Sequence, residues 1–384
     1  MAAVRPFSPG DIPAVVQLFS RVYPDARWNS HGECEAYFHH IFFASPWTDP
    51  ALPAWVAMDG ARAAGFIGVM PRPMRLRGRT LQAAVVTQLM VEQDKRHGMV
   101  AAQLLRKALA GAQDLTISDG ANETSRKMWE ALGGLTSTLY SLQWRRLLRP
   151  LQSTLQRIRS PHGRAAALLA TPVAYLADAY AAYHRSMRRP SSLREEPLHA
   201  ATLLDGLASL ERHFALSPQY NIEALEWLLG EARAKRRHGE LQSRVLRDGG
   251  GAIVGWYLYY VNGGTSKVLQ LHAQQGAERA VLDHLFQDAW RRGSTAIEGR
   301  MEPRLARFLG ERHCLFHSTS MYALIQAREP QSLAALARGD AFFSRLEGEW
   351  WMRFSEPGDR RRAVPEIPQV PLKVMRPSQQ AIVP

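Results

Sequence analysis

The stretch MVEQDKRHGMVAAQLL, Met90 to Leu105, leaves a strand-like end, crosses a charged run around one glycine and closes as the start of an apolar-periodic helix. A helix N-terminus presents outward-pointing N–H groups, and its dipole favours negative charge. With Lys95, Arg96 and His97 just ahead of Gly98, the junction has the chemistry of a phosphate site. A strand-to-helix turn also needs small and polar residues for geometry alone, so the surrounding pattern carries the decision.

Ahead of the junction, LQAAVVTQLMV (Leu81 onward) is an apolar run of strand length; behind it, Met99, Ala102, Leu105 and Leu109 recur at the spacing of a helix core face. Strand and helix signals alternate on both sides. AVRPF from Ala3 reads as a short strand. Asp11 reads as the cap of a helix burying Ile12, Val15, Val16, Leu18 and Phe19, and GECEAYFHHIFF from Gly32 as a second helix. Two β-rich runs, AWVAMDG and AAGFIGVMPRPMRL, meet at the hairpin dipeptide Asp59-Gly60. Then follow DLTIS, a helix NETSRKMWEALGG closed by Gly133 and Gly134, and STLYSLQWRRLL, which completes the unit. A similar order returns in the second half: helices from Leu203 and Asn221, a hairpin LQSRVLRDGGGAIVGWYLYYV, the strand SKVLQLHA, a helix from Ala277, TAIEG, a helix from Glu302 and the strand HSTSMYALIQA. Both hairpins join Asp-Gly to a Gly-aromatic step, which reads as a weak repeat of a whole domain.

A chain of 384 residues with 46% hydrophobic content favours two or three globular domains. Cys34 and Cys314 stand far apart with no CxxC or paired histidines, which speaks against disulfides and zinc and fits a cytoplasmic protein without a metal. Prolines at 6, 9 and 13 break any signal-peptide core, and the Ala-rich run from Ala165 holds Pro172 and Asp178, so no membrane span is expected. The net charge of +13 is concentrated: Arg145 to Arg194 carries ten arginines against one acid, Asp178. This basic segment reads as a solvated interdomain helix rather than a nucleic-acid surface. The expected domains are residues 1–148, a basic helical linker 149–195, a second domain 196–330, and a C-terminal helix with a loose tail over 331–384. In that last part SLAALARGDAFFSRLEGEWWMRF reads as one packed helix anchored by Trp350 and Trp351.

Residues 3–148 resemble the GNAT superfamily of acyl-CoA-dependent acyltransferases. The loop Lys95-Arg96-His97-Gly98-Met99-Val100-Ala101 is similar to that family's Gln/Arg-x-x-Gly-x-Gly/Ala loop, with Lys95 in the first place, Gly98 kept and Val100 where a second glycine is commonest. Asn122, then Trp129 seven residues later, then Leu132-Gly133 match a second family signature. The resemblance implies an α/β fold of two GNAT-like domains, each a mixed, mostly antiparallel sheet flanked by helices, the second copy degenerate. It also implies transfer of an acetyl group from acetyl-CoA to an amine acceptor, a small molecule such as an aminosugar. Amides from Lys95 through Arg96, His97, Gly98, Met99 and Val100 to Ala101 would hold the pyrophosphate. Main-chain groups of Gln88, Leu89, Met90 and Val91 would hold the pantetheine arm, with Asn122 and Trp129 facing it. Asn122 equally fits a helix N-cap.

Transfer to an amine needs a base for its proton and an acid for the leaving thiolate. The family's tyrosine acid is replaced here by Trp129, an indole, so Tyr140 is a stand-in candidate. Asp119 is the candidate base, although the turn SDGAN suits a capping aspartate equally. Glu33, Glu35, His39 and His40 sit on the helix that would border the acceptor and read as helical surface charge. The second half has no cation cluster before Gly276, so it is expected to shape the acceptor surface rather than bind acyl-CoA. Two other readings stay open: a tRNA-dependent aminoacyltransferase of the same double fold, and a non-catalytic CoA-binding protein.

Overall fold

The computed structural model describes residues 2–24, 31–92, 99–157, 170–178, 193–208, 210 and 213–349. In the first half lie β1 (Ala3–Pro6), α1 (Ile12–Val22), α2 (His31–Phe42), β2 (Trp55–Asp59), β3 (Arg62–Pro71), β4 (Met74–Leu76), β5 (Arg79–Leu81) and β6 (Ala83–Val91). They are followed by α3 (Val100–Leu109), β7 (Leu115–Ala121), α4 (Glu123–Ala131), β8 (Leu135–Ser137), α5 (Thr138–Ser141), β9 (Leu142–Leu147), α6 (Pro150–Arg157) and a helix α7 over 170–178. The second half holds β10 (Arg194–Pro197), α8 (Ala200–Leu207), β11 (Leu216–Pro218), α9 (Ile222–Ala234), β12 (Glu240–Arg247), β13 (Ile253–Val261) and β14 (Thr265–Ala273). It closes with α10 (Glu278–Arg291), β15 (Ala296–Arg300), α11 (Ala306–Glu311), β16 (Leu315–Ser318), β17 (Tyr322–Ala327) and α12 (Pro330–Ala337).

Local chemistry explains most of these elements. The periodic face of α1 is buried as its spacing requires, with Val15 and Leu18 inaccessible to solvent. Asp11 stands at the cap position of α1, but its carboxylate turns back to accept from Ser8 N–H at 2.9 Å and from the Arg5 guanidinium, closing the preceding turn instead of the helix. Arg5 holds this carboxyl down at about 2. The β2–β3 hairpin pairs Asp59 with Arg62, and Gly60 turns it at φ 62, a conformation that side chains disfavour.

Two seven-stranded sheets form the body, in the orders β1-β2-β3-β6-β7-β17-β8 and β10-β12-β13-β14-β15-β9-β16. The repeat read from the sequence is real at the level of topology. In the first sheet β3 and β6 are antiparallel and β6 and β7 parallel; in the second β13 and β14 are antiparallel and β14 and β15 parallel. The sheets also exchange strands. β9 was expected to complete the first unit, but it lies between β15 and β16 of the second. HSTSMYALIQA was expected to form one strand, but it divides into β16 in the second sheet and β17 in the first, between β7 and β8. A boundary at residue 148 therefore cuts through both sheets. The small sheet β11-β4-β5 ties the halves again through Leu216 opposite Leu76.

The C-terminal part departs from the expected single helix. α12 stops at Ala337, and residues 341–349 run as a buried, largely irregular segment between the sheets. Phe342 N–H bonds Leu216 O, and Leu346 N–H bonds Leu269 O. Trp350 and Trp351 lie outside the described residues, as do 158–169 and 179–192 of the basic segment. Two of its arginines are used within the fold: Arg146 sits over the Phe286 ring at 4.3 Å, and Arg149 donates to Trp290 O. Asp178, the segment's one acid, accepts from the N–H groups of Leu151 and Gln152 at the start of α6. Among the described residues no helix is long and apolar enough to cross a membrane.

Candidate active site

The parallel ladder between β6 and β7 lasts only from Ala83 to Val85, paired with Leu115 to Ile117. Beyond it the strands part. On its other side, β6 pairs Gly68 with Thr87 and Phe66 with Met90, so Gln88 and Leu89 form a bulge, with Gln88 in the left-handed region at φ 52. A bulge bends its strand and re-aims side chains, and a non-glycine residue at positive φ is worth a functional explanation. The result is an open cavity of about 250 Å3, lined among others by Thr87, Gln88, Leu89, Ser118, Asn122, Trp129 and Glu349.

Several expected residues meet here. Gln88, Leu89, Asn122 and Trp129 line the cavity; Met90 and Val91 continue β6 but are not among its lining residues. Asn122 takes the bland role as well, since its Oδ1 caps α4 by accepting from Ser125 N–H at 2.9 Å. The Trp129 indole N–H donates to Ile325 O at 3.2 Å, so it is already engaged. Lys95, Arg96, His97 and Gly98 lie outside the described residues. Met99 is the N-cap of α3 and makes no side-chain cap, while Val100 and Ala101 open the helix, with Val100 in the core.

The two catalytic candidates lie elsewhere. Side chains alternate along a strand, so Ser118 and Gly120 face the cavity while Asp119 between them points away. Its carboxylate, with no solvent exposure, pairs with Arg300 and accepts from Glu349 N–H at 2.6 Å. The Tyr140 hydroxyl donates to Ala341 O at 2.7 Å inside the core, and burial pushes its pKa up. Neither is placed to exchange a proton with a substrate in the cavity. His40 contacts Glu231 and stacks on Trp227, in line with the structural reading of α2. The sequence offered no sign of Ser118 or Glu349: the first looked like plain strand and the second like one turn of a helix.

The second sheet has a matching break. β14 pairs with β15 only from Thr265 to Lys267, and Leu269 is bulged between the partners of Leu258 and Tyr259. Here the N–H of Leu346 fills the position by bonding Leu269 O, and the loop amide of Gly276 already donates to Glu278 at 2.7 Å. A second cavity of about 390 Å3 remains near the end of β14, lined by His272, Glu302, Arg304 and Phe342 among others. Burial keeps His272 neutral, its pKa lowered to about 3, and holds the Glu302 carboxyl well above the ordinary carboxylate range.

Glu302 supports a stability prediction. A carboxyl with a raised folded-state pKa favours the folded state fully below its unfolded value of 4.5, and that contribution is lost as the pH climbs through the folded value. Glu302→Gln cannot ionise, so it is expected to be more stable than the parent at mildly alkaline pH by roughly 1–3 kcal/mol, with the gap closing towards pH 4.5. Denaturant midpoints measured across that range check it; a gap that does not change with pH would show that this carboxyl is not held protonated.

Residues 3–117 match the family model of the acetyltransferase (GNAT) domain. No curated protein sequence matches the chain significantly. Among solved structures, a probable N-acyltransferase of unknown function from Enterococcus faecalis aligns with 88% of this chain and 74% of its own at 8% identity, TM-score 0.55. GCN5-related N-acetyltransferases from Anabaena variabilis (11% identity, TM-score 0.56) and Kribbella flavida (12%, 0.54) each cover 87% of this chain, and 75% and 73% of their own. At these identities the likeness is one of fold. Residues 3–117 are thus similar to a GNAT acetyltransferase domain, and the whole chain, with its two mostly antiparallel sheets flanked by helices, resembles these N-acetyltransferase structures in fold.

Proposed function

We propose that the protein transfers an acyl group from an acyl-CoA, acetyl-CoA in the first instance, to a small-molecule amine such as an aminosugar in the cavity between β6 and β7. One observation carries this: the bulge at Gln88 and the early end of the β6–β7 ladder open a sheet edge into a cavity at the end of the strand that leads to the 95–101 loop. The splayed edge fits an extended pantetheine arm, which the main chain of Gln88–Val91 would hold, with Asn122 and Trp129 against it. Lys95, Arg96, His97 and Gly98, with Met99, Val100 and Ala101 at the head of α3, would receive the diphosphate on N–H groups that no side chain caps at Met99. The thioester supplies an activated acyl carbon; the chain supplies its orientation and a strand N–H for the developing oxyanion. In the basic segment on which the tRNA-dependent alternative rests, Arg146 and Arg149 lie over the Phe286 and Trp290 rings.

The test is thermal. A ligand that binds only the folded state stabilises it by about 2.7 kcal/mol at a hundredfold excess over its Kd. Acetyl-CoA is therefore expected to raise the Tm by several degrees, and Gly98→Glu to abolish the rise by placing bulk and like charge in the phosphate site. No rise with the wild type, or an undiminished rise with Gly98→Glu, would contradict the assignment of the loop. Release of CoA thiol separates an enzyme from a protein that only binds CoA.

A further inference from the structure

The segment 341–349 reaches from one cavity to the other. Phe342 lines the cavity of the second sheet and Glu349 that of the first. Along the way its polar side chains are fastened: Arg345 donates to Gln143 Oε1 at 2.8 Å, and the Glu347 carboxylate accepts from Gln270 at 2.8 Å and from Tyr220 at 3.0 Å. At its end Glu349 is 1% exposed, and its Oε1 accepts from Ser118 Oγ at 2.6 Å. The backbone there is fixed twice. Glu349 N–H donates to Asp119, which Arg300 holds in turn. Residue 348 has to be glycine, because a Cβ would collide with the Asp119 carboxylate.

From this geometry we infer that Glu349 is the general base of the acyl transfer and that Asp119 is a positioning residue that aims it; the inference rests on the acyl-transfer reading above. Glu349 is the one carboxylate among the cavity's described lining residues, and it lines that cavity together with Thr87, Gln88 and Asn122, where the thioester would end. Glu349 takes a proton from the ammonium form of the amine, and the freed nitrogen attacks the acyl carbon to form the N–C bond. As the C–S bond breaks, the leaving thiolate takes the surplus proton of that nitrogen through solvent. The products are an amide and free CoA thiol, and Glu349 returns its proton to solvent as the carboxylate is regenerated. Trp129 takes no part in this proton path, since its N–H is held by Ile325.

The experiment compares wild type, Glu349→Gln and Glu349→Asp for acetyl-CoA binding by thermal shift and for CoA thiol release. The nucleophiles are 2-phenylethylamine, which needs deprotonation, and hydroxylamine, which is already unprotonated at neutral pH. Glu349→Gln is expected to bind acetyl-CoA as wild type does and to lose roughly 10²–10⁴-fold in kcat with the amine. It should also lose the acid limb of the pH profile and keep most of its rate with hydroxylamine. Glu349→Asp should keep the limb at a reduced rate, and it serves alone if the glutamine variant does not fold. The inference is overturned by an unimpaired kcat in Glu349→Gln, by an equal loss with both nucleophiles, or by a wild type that binds acetyl-CoA and releases thiol to neither. A wild type that does not bind acetyl-CoA removes the acyl-transfer reading first and this one with it.

Discussion

A fragment ending at Leu148 is expected not to fold, although it spans the whole region that matches a GNAT domain. Without β17, β7 loses the partner on its other side from Leu115 to Ala121, and β8 loses the strand that ties it to the sheet. All seven residues of β7 are buried in the full chain, so the fragment would expose a long apolar edge ready to pair with other chains. Its cores would be incomplete as well. One cluster joins Met74, Leu115 and Ile117 to Leu216, Ile325 and Phe343, and another joins Phe7, Phe38 and Phe66 to Leu203, Trp256 and Leu346. The complementary fragment from Arg149 lacks β9 between β15 and β16. Co-expression of the two fragments is expected to restore a soluble complex with the far-UV spectrum of the intact chain. Dispersed amide signals and cooperative unfolding from the first fragment alone would show that the strand exchange is dispensable.

The same exchange marks where the sequence stops being legible. The hairpin at Asp59-Gly60, the buried face of α1 and the apolar run of β6 are local, and each declares itself within a dozen residues. YALIQA also reads correctly as part of a strand, and LQWRRL reads as belonging to the first unit. Nothing in their alternation names the sheet that takes them up, because pairing is a property of two segments and each of these pairs across the whole molecule. The site divides in the same way. Gln88, Asn122 and Trp129 belong to local motifs and line one cavity; the link from Ser118 to Glu349 spans 231 positions. The apolar run AALARGDAFFSRLEG reads as helix from its spacing. Gly339 at φ 70 ends that helix, and the positions after it are buried all round, a pattern that carries no periodic signal.

Replacing Arg300 by methionine is expected to be among the most damaging single changes in the molecule, at about 3–5 kcal/mol, the usual cost of breaking a buried pair. The Arg300 side chain is 6% exposed and Asp119 not at all. Its guanidinium also reaches Asp119 O and Ser344 O, lies 4.8 Å from the Phe343 ring and partly offsets the rise in the Glu302 pKa. Methionine fills much of the volume, so the loss measures a stranded Asp119 carboxylate rather than a void. The double variant Arg300→Met with Asp119→Asn removes that charge and is expected to recover most of the stability, since a buried pair is often worth little against neutral groups of similar shape. Denaturant midpoints at constant m would show the recovery, and the cycle yields the coupling directly. Activity should not recover with it. The amide that replaces Asp119 still offers an acceptor to Glu349 N–H but, neutral and no longer held by Arg300, fixes that backbone less firmly, so a stable double variant with a lowered kcat and an unchanged response to acetyl-CoA separates the two duties of the pair. A double variant as unstable as Arg300→Met would show instead that the arginine's other contacts hold this region together.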